Sequence, residues 1–304
     1  MLRTVYNTTV ASSASWIPLI EIQLCVFSIC ISSSNGGAIF CNHNTQMNIT
    51  DCSFIGCEAS GNRGGGIYFA TGKGFDARSV CFYKCKSYFG QALSITLEAL
   101  SCISNLNFVS YSLCSDDINI IRFHSVEISG SKSTFSNVNG SKNYLEKWGT
   151  GAACSGADNM IKFCDFCDSI GSYIIGYGNP QKTTNGFIDS NNFVNNSRGP
   201  SNALGTFDNY IVMRINNCIM KSNTHNVLFF SNNGGSFIIS NSVIDIVSGS
   251  NYELISNHIG TSNMLSNEFL NTIFCPFHNI KQTPNVIPNN YKYAIVFFLS
   301  AAIS

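Results

Sequence analysis

The chain has 304 residues, 44% of them apolar, with 17 basic and 17 acidic side chains and no formal net charge. Only 11% of the residues are charged, less than half the usual share. That leaves no basic stripe to neutralise phosphates and excludes a nucleic-acid binder. Asn takes the space, with 37 copies; it tolerates left-handed turns and ladders with itself when strands stack. With abundant Ser, Phe and Ile, this composition describes solvated β-structure and not a helical bundle.

At the N-terminus, Trp16 to Ile31 is apolar but interrupted by Pro18, Glu21 and Gln23. It reads as the opening of a first coil and not as a signal peptide. Residues 1–24 are therefore expected to be a cap or a truncated first coil. From there a Phe or aliphatic residue recurs at Phe27, Phe54, Phe82, Phe108, Phe135, Phe166, Phe193, Ile219, Val243 and Phe269. The steps are 27, 28, 26, 27, 31, 27, 26, 24 and 26 residues, a period that signals stacked repeats rather than one closed globule.

Each repeat carries a short alternating segment before the Phe, such as Met47-Asn-Ile49, Phe75-Asp-Ala77 or Phe237-Ile-Ile239. A second apolar cluster follows it, such as Ala38-Ile39-Phe40, Ile67-Tyr68-Phe69 or Val227-Leu228-Phe229. A unit of this size cannot bury its apolar face alone and must stack on its copies, in parallel. The expected fold is all-β: a right-handed parallel β-helix, a single-stranded solenoid of about ten coils over residues 25–275. A leucine-rich repeat shares the period, but its Leu-x-x-Leu-x-Leu frame is missing. Pro276, Pro284 and Pro288 mark the end of the repeats, because proline is kept out of central strands. Residues 276–304 read as a linker and an apolar segment. Its last run, Tyr293 to Ser304, is either the first half of a membrane helix or a tail packed on the last coil; twelve residues are too few to span a bilayer.

Of the 14 Cys, Cys30, Cys57 and Cys85 share one position of the repeat. Stacked strands about 4.8 Å apart put such residues within disulfide range. They are either small buried hydrophobes or partly oxidised.

Asn35-Gly36-Gly37-Ala38-Ile39, Gly64-Gly65-Gly66-Ile67 and Gly90-Gln91-Ala92-Leu93 follow the first three Phe frames. Paired Gly fits a tight corner at positive φ. Alternation of Gly-Gly-Ala-Ile with Phe-x-x-Asn resembles the repeat of the polymorphic outer membrane protein family, which includes bacterial autotransporter passengers and surface proteins of parasitic protists. Both halves of the motif cover about residues 25–95; beyond that only the Phe frame continues. Cys30, Cys57 and Cys85 stand where the family has Asn, which returns at Asn196. The resemblance implies a surface-displayed, membrane-tethered β-helix, of the protist type, serving adhesion or antigenic variation. It implies a monomer that meets a host-cell or extracellular ligand such as carbohydrate, without a cofactor, anchored through the C-terminal segment.

The alternative is a polysaccharide lyase or glycoside hydrolase of the pectate lyase or polygalacturonase kind, which needs acids or basic residues grouped on one face. The 17 acidic residues scatter. Asp116-Asp117 is an adjacent pair whose members point to opposite faces of a strand; Asp165, Asp168 and Asp189 sit at different offsets from their Phe frames. Cys164 and Cys167 form a Cys-x-x-Cys without the further ligands zinc needs. The long 31-residue step after Phe135 reads as an insertion. It holds a candidate binding loop, Lys142, Tyr144, Lys147 and Trp148, with Glu146 among them, because insertions in solenoids protrude on one side. Asn-X-Ser/Thr sequons at Asn7, Asn48, Asn139 and Asn195 are candidate glycosylation sites.

Overall fold

A computed structural model describes residues 4–6, 10–12, 19–114, 123–130, 132–145, 149–156, 158–178, 185–198, 203–207, 212–225, 227–231, 236–245 and 252–254. Among the described residues every strand pair is parallel and no helix occurs. The fold is a right-handed parallel β-helix. One sheet holds 18 strand segments and a second holds nine. Between Ile39–Asn42 and Val227–Ser231, the second sheet makes seven turns, fewer than the ten coils the period suggested.

Each turn has three runs. In the second turn they are Gln46–Thr50, Ser53–Ile55 and Ile67–Gly72. Alternate side chains of a strand point to opposite faces, so each run sends an apolar column inward. Ile49, Ala77, Leu106, Phe135, Ile161, Ile188, Ile215 and Ile239 stack in the first run. In the third run the column is Ile39, Ile67, Leu93, Val126, Ala152, Ile175, Gly205 and Phe229.

The aromatic column lies in the short middle run: Phe27, Phe54, Phe82, Tyr111, Gly140, Phe166, Phe193, Met220 and Ile244. The rings of Phe27, Phe54 and Phe82 stack at 4.8 Å spacings, with interplanar angles of 4° and 13°. Phe166 lies over Phe193 at 5.5 Å. Burial of each ring contributes about 1.5–3 kcal/mol. Gly140 keeps the column intact because Tyr111 fills its space: a Cβ on Gly140 would meet the Tyr111 hydroxyl at 2.5 Å.

This register corrects four of the ten positions expected from spacing. Phe108 is not in the column; it sits at a corner, φ 54°, 42% exposed. Phe135 belongs to the first-run column, while Ile219 and Val243 sit one position before the column residues Met220 and Ile244. Phe269 lies outside the described residues.

The period is set by the corners more than by the Phe. A left-handed residue stands on each side of the middle run, five positions apart: Leu24 and Ile29, Asp51 and Gly56, Ser79 and Lys84, Phe108 and Leu113, Asn137 and Lys142, Phe163 and Asp168, Ser190 and Asn195, Asn217 and Ser222. Their φ values run from 52° to 60°. Directly after the corner that ends the middle run a small residue turns inward, and six of these residues bind the turn below. Cys57, Cys85 and Cys114 aim Sγ at the carbonyls of Phe27, Phe54 and Phe82, at 3.6, 3.5 and 3.9 Å. Asn143, Asn196 and Asn223 send Nδ2 to Tyr111, Phe166 and Phe193, at 3.3, 2.8 and 2.8 Å. Asn does more than Cys, because its Oδ1 also accepts a backbone N–H of the turn below: Asn143 from Cys114, Asn196 from Ser169 and Asn223 from Asn196, at 3.0–3.1 Å. Cys30, Cys57 and Cys85 are buried, as one of the two expectations had it, and they share a column with Asn196.

The stack begins before residue 25, because Thr4–Tyr6 pairs with Cys25–Ser28 and Leu19–Gln23 pairs with Gln46–Thr50. Residues 276–304 lie outside the described residues. Among the described residues no helix is long and apolar enough to cross a membrane.

Candidate ligand-binding face

The third corner, between the middle run and the second sheet, differs from the other two. In the first turns it is built on glycine: Gly36, Gly64 and Gly90 take φ of +70°, +69° and +59°. Gly65 has no room for a side chain, since a Cβ there would lie 2.2 Å from the Gln91 carbonyl oxygen. Turns therefore close tightly here, and the residues beside the glycines line up in vertical rows, most of them half-buried. Ile31, Glu58 and Lys86 form one row; Arg63, Phe89 and Phe123 form the next. Phe40, Tyr68, Ser94 and Glu127 form a third on the outer face of the second sheet.

Together these rows make a continuous aromatic and charged surface. Phe89 stacks on Phe123 at 4.5 Å and 17°, and Tyr88, 38% exposed, packs edge-on against Phe89 and tilted against Phe123, both at 5.0 Å. The Arg63 guanidinium lies 5.0 Å over the Phe89 ring. Its Nη1 donates to both Glu127 carboxylate oxygens at 3.2 Å, and Ser94 Oγ donates to Glu127 Oε2 at 3.0 Å. Phe40 and Tyr68 stack at 5.6 Å on the same face. Ser87 fixes the loop that carries Tyr88: its Oγ donates to the carbonyls of Phe89 and Gly90, and its N–H donates to Gln91 Oε1. Beside Tyr88 is a shallow groove of about 180 Å³, walled by Glu58, Ser60, Gly61 and Lys86. Behind Phe123 sits His124; burial, helped by the Arg63 charge, lowers its pKa to about 4, so the ring is neutral at pH 7.

Flat aromatic faces next to a forked cation and a carboxylate can hold a ligand with one apolar face and several hydroxyls. Phe89 is covered by Phe123 and Arg63, so the exposed ring of Tyr88 is the one that meets C–H surface, while Arg63, Glu127, Glu58 and Lys86 offer donors and acceptors.

The candidate loop fares differently. Lys142 is an exposed corner residue with φ 56°, and Tyr144 is half-buried and bridges to Ile170. Lys147 and Trp148 lie outside the described residues. The inserted residues expected after Phe135 are not there: Gly140 to Phe166 is one ordinary turn of 26 residues, and the 31-residue step arose because Phe135 belongs to another column. Of the sequons, Asn48 and Asn139 sit on strands, Asn48 accepting from Gln46 Nε2. Asn195 is an exposed corner whose Nδ2 donates to Asp168 at 2.7 Å. Asn7 lies outside the described residues, as do Asp116 and Asp117.

Asp165, Asp168 and Asp189 each accept a hydrogen bond from an Asn one turn on: Asn192, Asn195 and Asn216, at 2.7, 2.7 and 2.9 Å. Burial pushes the Asp165 carboxyl up to about 6, partly offset by Asn192. Cys164 turns inward to the Phe135 carbonyl while Cys167 faces out, so the two cannot share a ligand. No group of three or more metal-ligating side chains occurs among the described residues.

Spacing alone missed Tyr88, Phe89, Phe123, Arg63 and Glu127, because the turn that carries Phe123 is longer than its neighbours. A Phe at 89 and another at 123 show no period until the strands are aligned. The chain matches no protein-family model, no curated protein and no solved structure.

Proposed function

We propose that the chain is a non-enzymatic β-helix displayed at a cell surface or in the extracellular space, and that it binds carbohydrate on the face carrying Tyr88, Phe89 and Phe123. The aromatic cluster beside the Arg63–Glu127 pair is the observation that carries this reading. A half-buried ring stack capped by exposed Tyr88, without a deep pocket, suits a repetitive polymer that runs over a surface, and aromatics with Arg are the side chains that dominate contact energies. A role as an adhesin, with the C-terminal segment as its membrane tether, agrees with the resemblance of the Gly-Gly and Phe-x-x-Asn frames to polymorphic outer membrane proteins.

Titration of the full chain with soluble polysaccharides tests it. Tyr88→Ala and Arg63→Ala should each weaken binding by about tenfold, equivalent to ~1.4 kcal/mol, with the β spectrum unchanged. Affinity insensitive to both changes refutes the assignment.

A second reading, a polysaccharide hydrolase, has one observation in its favour: a carboxyl at about 6 on Asp165 suits a general acid. Against it, Asn192 ties up that carboxylate. Release of reducing ends from pectin-like polymers, abolished by Asp165→Asn, would establish the hydrolase instead.

A further inference from the structure

The cysteines are not spread evenly through the interior. Extending the paired register on either side places Cys25 directly under Cys52 and Cys30 directly under Cys57. The next turns place Cys57 under Cys85 and Cys85 under Cys114. Parallel neighbours lie about 4.8 Å apart, inside the Cα window that a disulfide spans. Cys154, Cys164 and Cys218, also buried, have no cysteine stacked on them. Cys154 lies between Ile128 and Tyr177; Cys164 has Asn191 above it, and Cys218 has Ser242.

From this arrangement we infer that Cys25–Cys52, Cys30–Cys57 and Cys85–Cys114 are inter-turn disulfide sites, which staple the first four turns when the chain meets an oxidising disulfide. Each pair is one ladder step, so closing it requires no change of register. In the reduced chain the thiols of each pair are within hydrogen-bonding reach of each other. Little is given up on oxidation, since the S–H···O contacts to the turn below are long, at 3.5–3.9 Å. Hydrogen bonds from Cys30 and Cys85 lower the Cys57 pKa, but Cys57 is fully buried, so exchange starts from a locally opened turn that exposes the pair.

The reaction balances as two thiol–disulfide exchanges. The Cys57 thiolate attacks a small disulfide such as oxidised glutathione, releasing one reduced thiol and leaving a mixed disulfide. Cys30 then gives up its proton to solvent and attacks the mixed disulfide at the Cys57 sulfur, displacing the second thiol and closing the 30–57 link. Two protein thiols lose two electrons and two protons, and the small disulfide is reduced to two thiols. This inference depends on register alone and not on carbohydrate binding, so either can fail without the other.

The test is equilibration of the purified full chain in oxidised-to-reduced glutathione mixtures, then alkylation and peptide mass spectrometry. Six thiols, those of Cys25, Cys52, Cys30, Cys57, Cys85 and Cys114, should become protected as three linked peptide pairs. Cys154, Cys164 and Cys218, equally buried, should remain alkylatable after denaturation and serve as internal controls. Cys57→Ser should free Cys30 while leaving the 25–52 and 85–114 links in place. Six thiols that stay reduced, or links joining residues that are not stacked, overturn the inference. So does a dominant 57–85 link.

Discussion

Replacing Phe82 and Phe108 in parallel tests whether the corners, and not the aromatic spacing, set the coil. Spacing treats the two as equivalent, 26 residues apart; the structure does not. Phe82 is fully buried, stacked on Phe54 at 4.8 Å, and its ring closes the space above Gly66. Truncating a buried Phe to Ala costs about 3–5 kcal/mol, through lost transfer and the cavity left. With a urea slope of about 2 kcal/mol/M, Phe82→Ala should lower the unfolding midpoint by ~2 M. Phe108 is 42% exposed with φ 54°. A bulky residue in left-handed geometry costs about 1–2 kcal/mol, which Phe108→Gly removes while giving up partial burial and adding unfolded-chain entropy. The variant should lie within about 1 kcal/mol of the parent. Equilibrium urea denaturation followed by far-UV circular dichroism reads both. Equal losses at the two positions, or the larger loss at Phe108, would refute the register.

Asn196→Ala removes the acceptor for the Ser169 N–H and the donor to the Phe166 carbonyl, and should cost about 1–3 kcal/mol per group left unpaired. Asn196→Cys, which can still reach that carbonyl as Cys57 and Cys85 do, should lose less; a thermal melt ranking the two the other way round speaks against the ladder. Gly65→Ala puts a Cβ 2.2 Å from the Gln91 carbonyl oxygen, so the turn must open, and the variant should show a lower melting temperature with weaker ligand binding. Two groups should titrate with opposite signs between pH 4 and 6.5. The folded-state pKa of His124, depressed to about 4, gives stability that is present above its unfolded value near 6.5 and lost as pH falls towards about 4. Asp165, raised to about 6, disfavours the folded chain above that pH and is relieved as pH falls towards 3.9. Stability–pH curves of His124→Gln and Asp165→Asn should therefore each lose one limb; a curve unchanged by either substitution removes that group from the account.

Sequence alone was enough for the class of fold. A repeat of about 27 residues, little charge and abundant Asn leave stacked parallel strands as the way to bury one apolar face per run. It also showed that Cys30, Cys57 and Cys85 share a position with Asn196, because a ladder that needs one small inward donor per turn records that need at a fixed offset. Gly36, Gly64 and Gly90 were legible as corners for a similar reason: little else tolerates that backbone with so little room. What the sequence could not set was the register where turns change length. The steps Phe82 to Tyr111 and Tyr111 to Gly140 are 29 residues each, so counting by Phe slid onto Phe108 and Phe135. An aromatic side chain is equally at home inside a column, in the adjoining column or on a half-exposed corner, and only backbone pairing distinguishes these. The same holds for the candidate binding face. Arg63 and Glu127 are 64 residues apart, and they meet because two turns of strand pairing bring the row that starts at Arg63 beside the row that ends at Glu127, a proximity decided by the stacking and by nothing local to either residue.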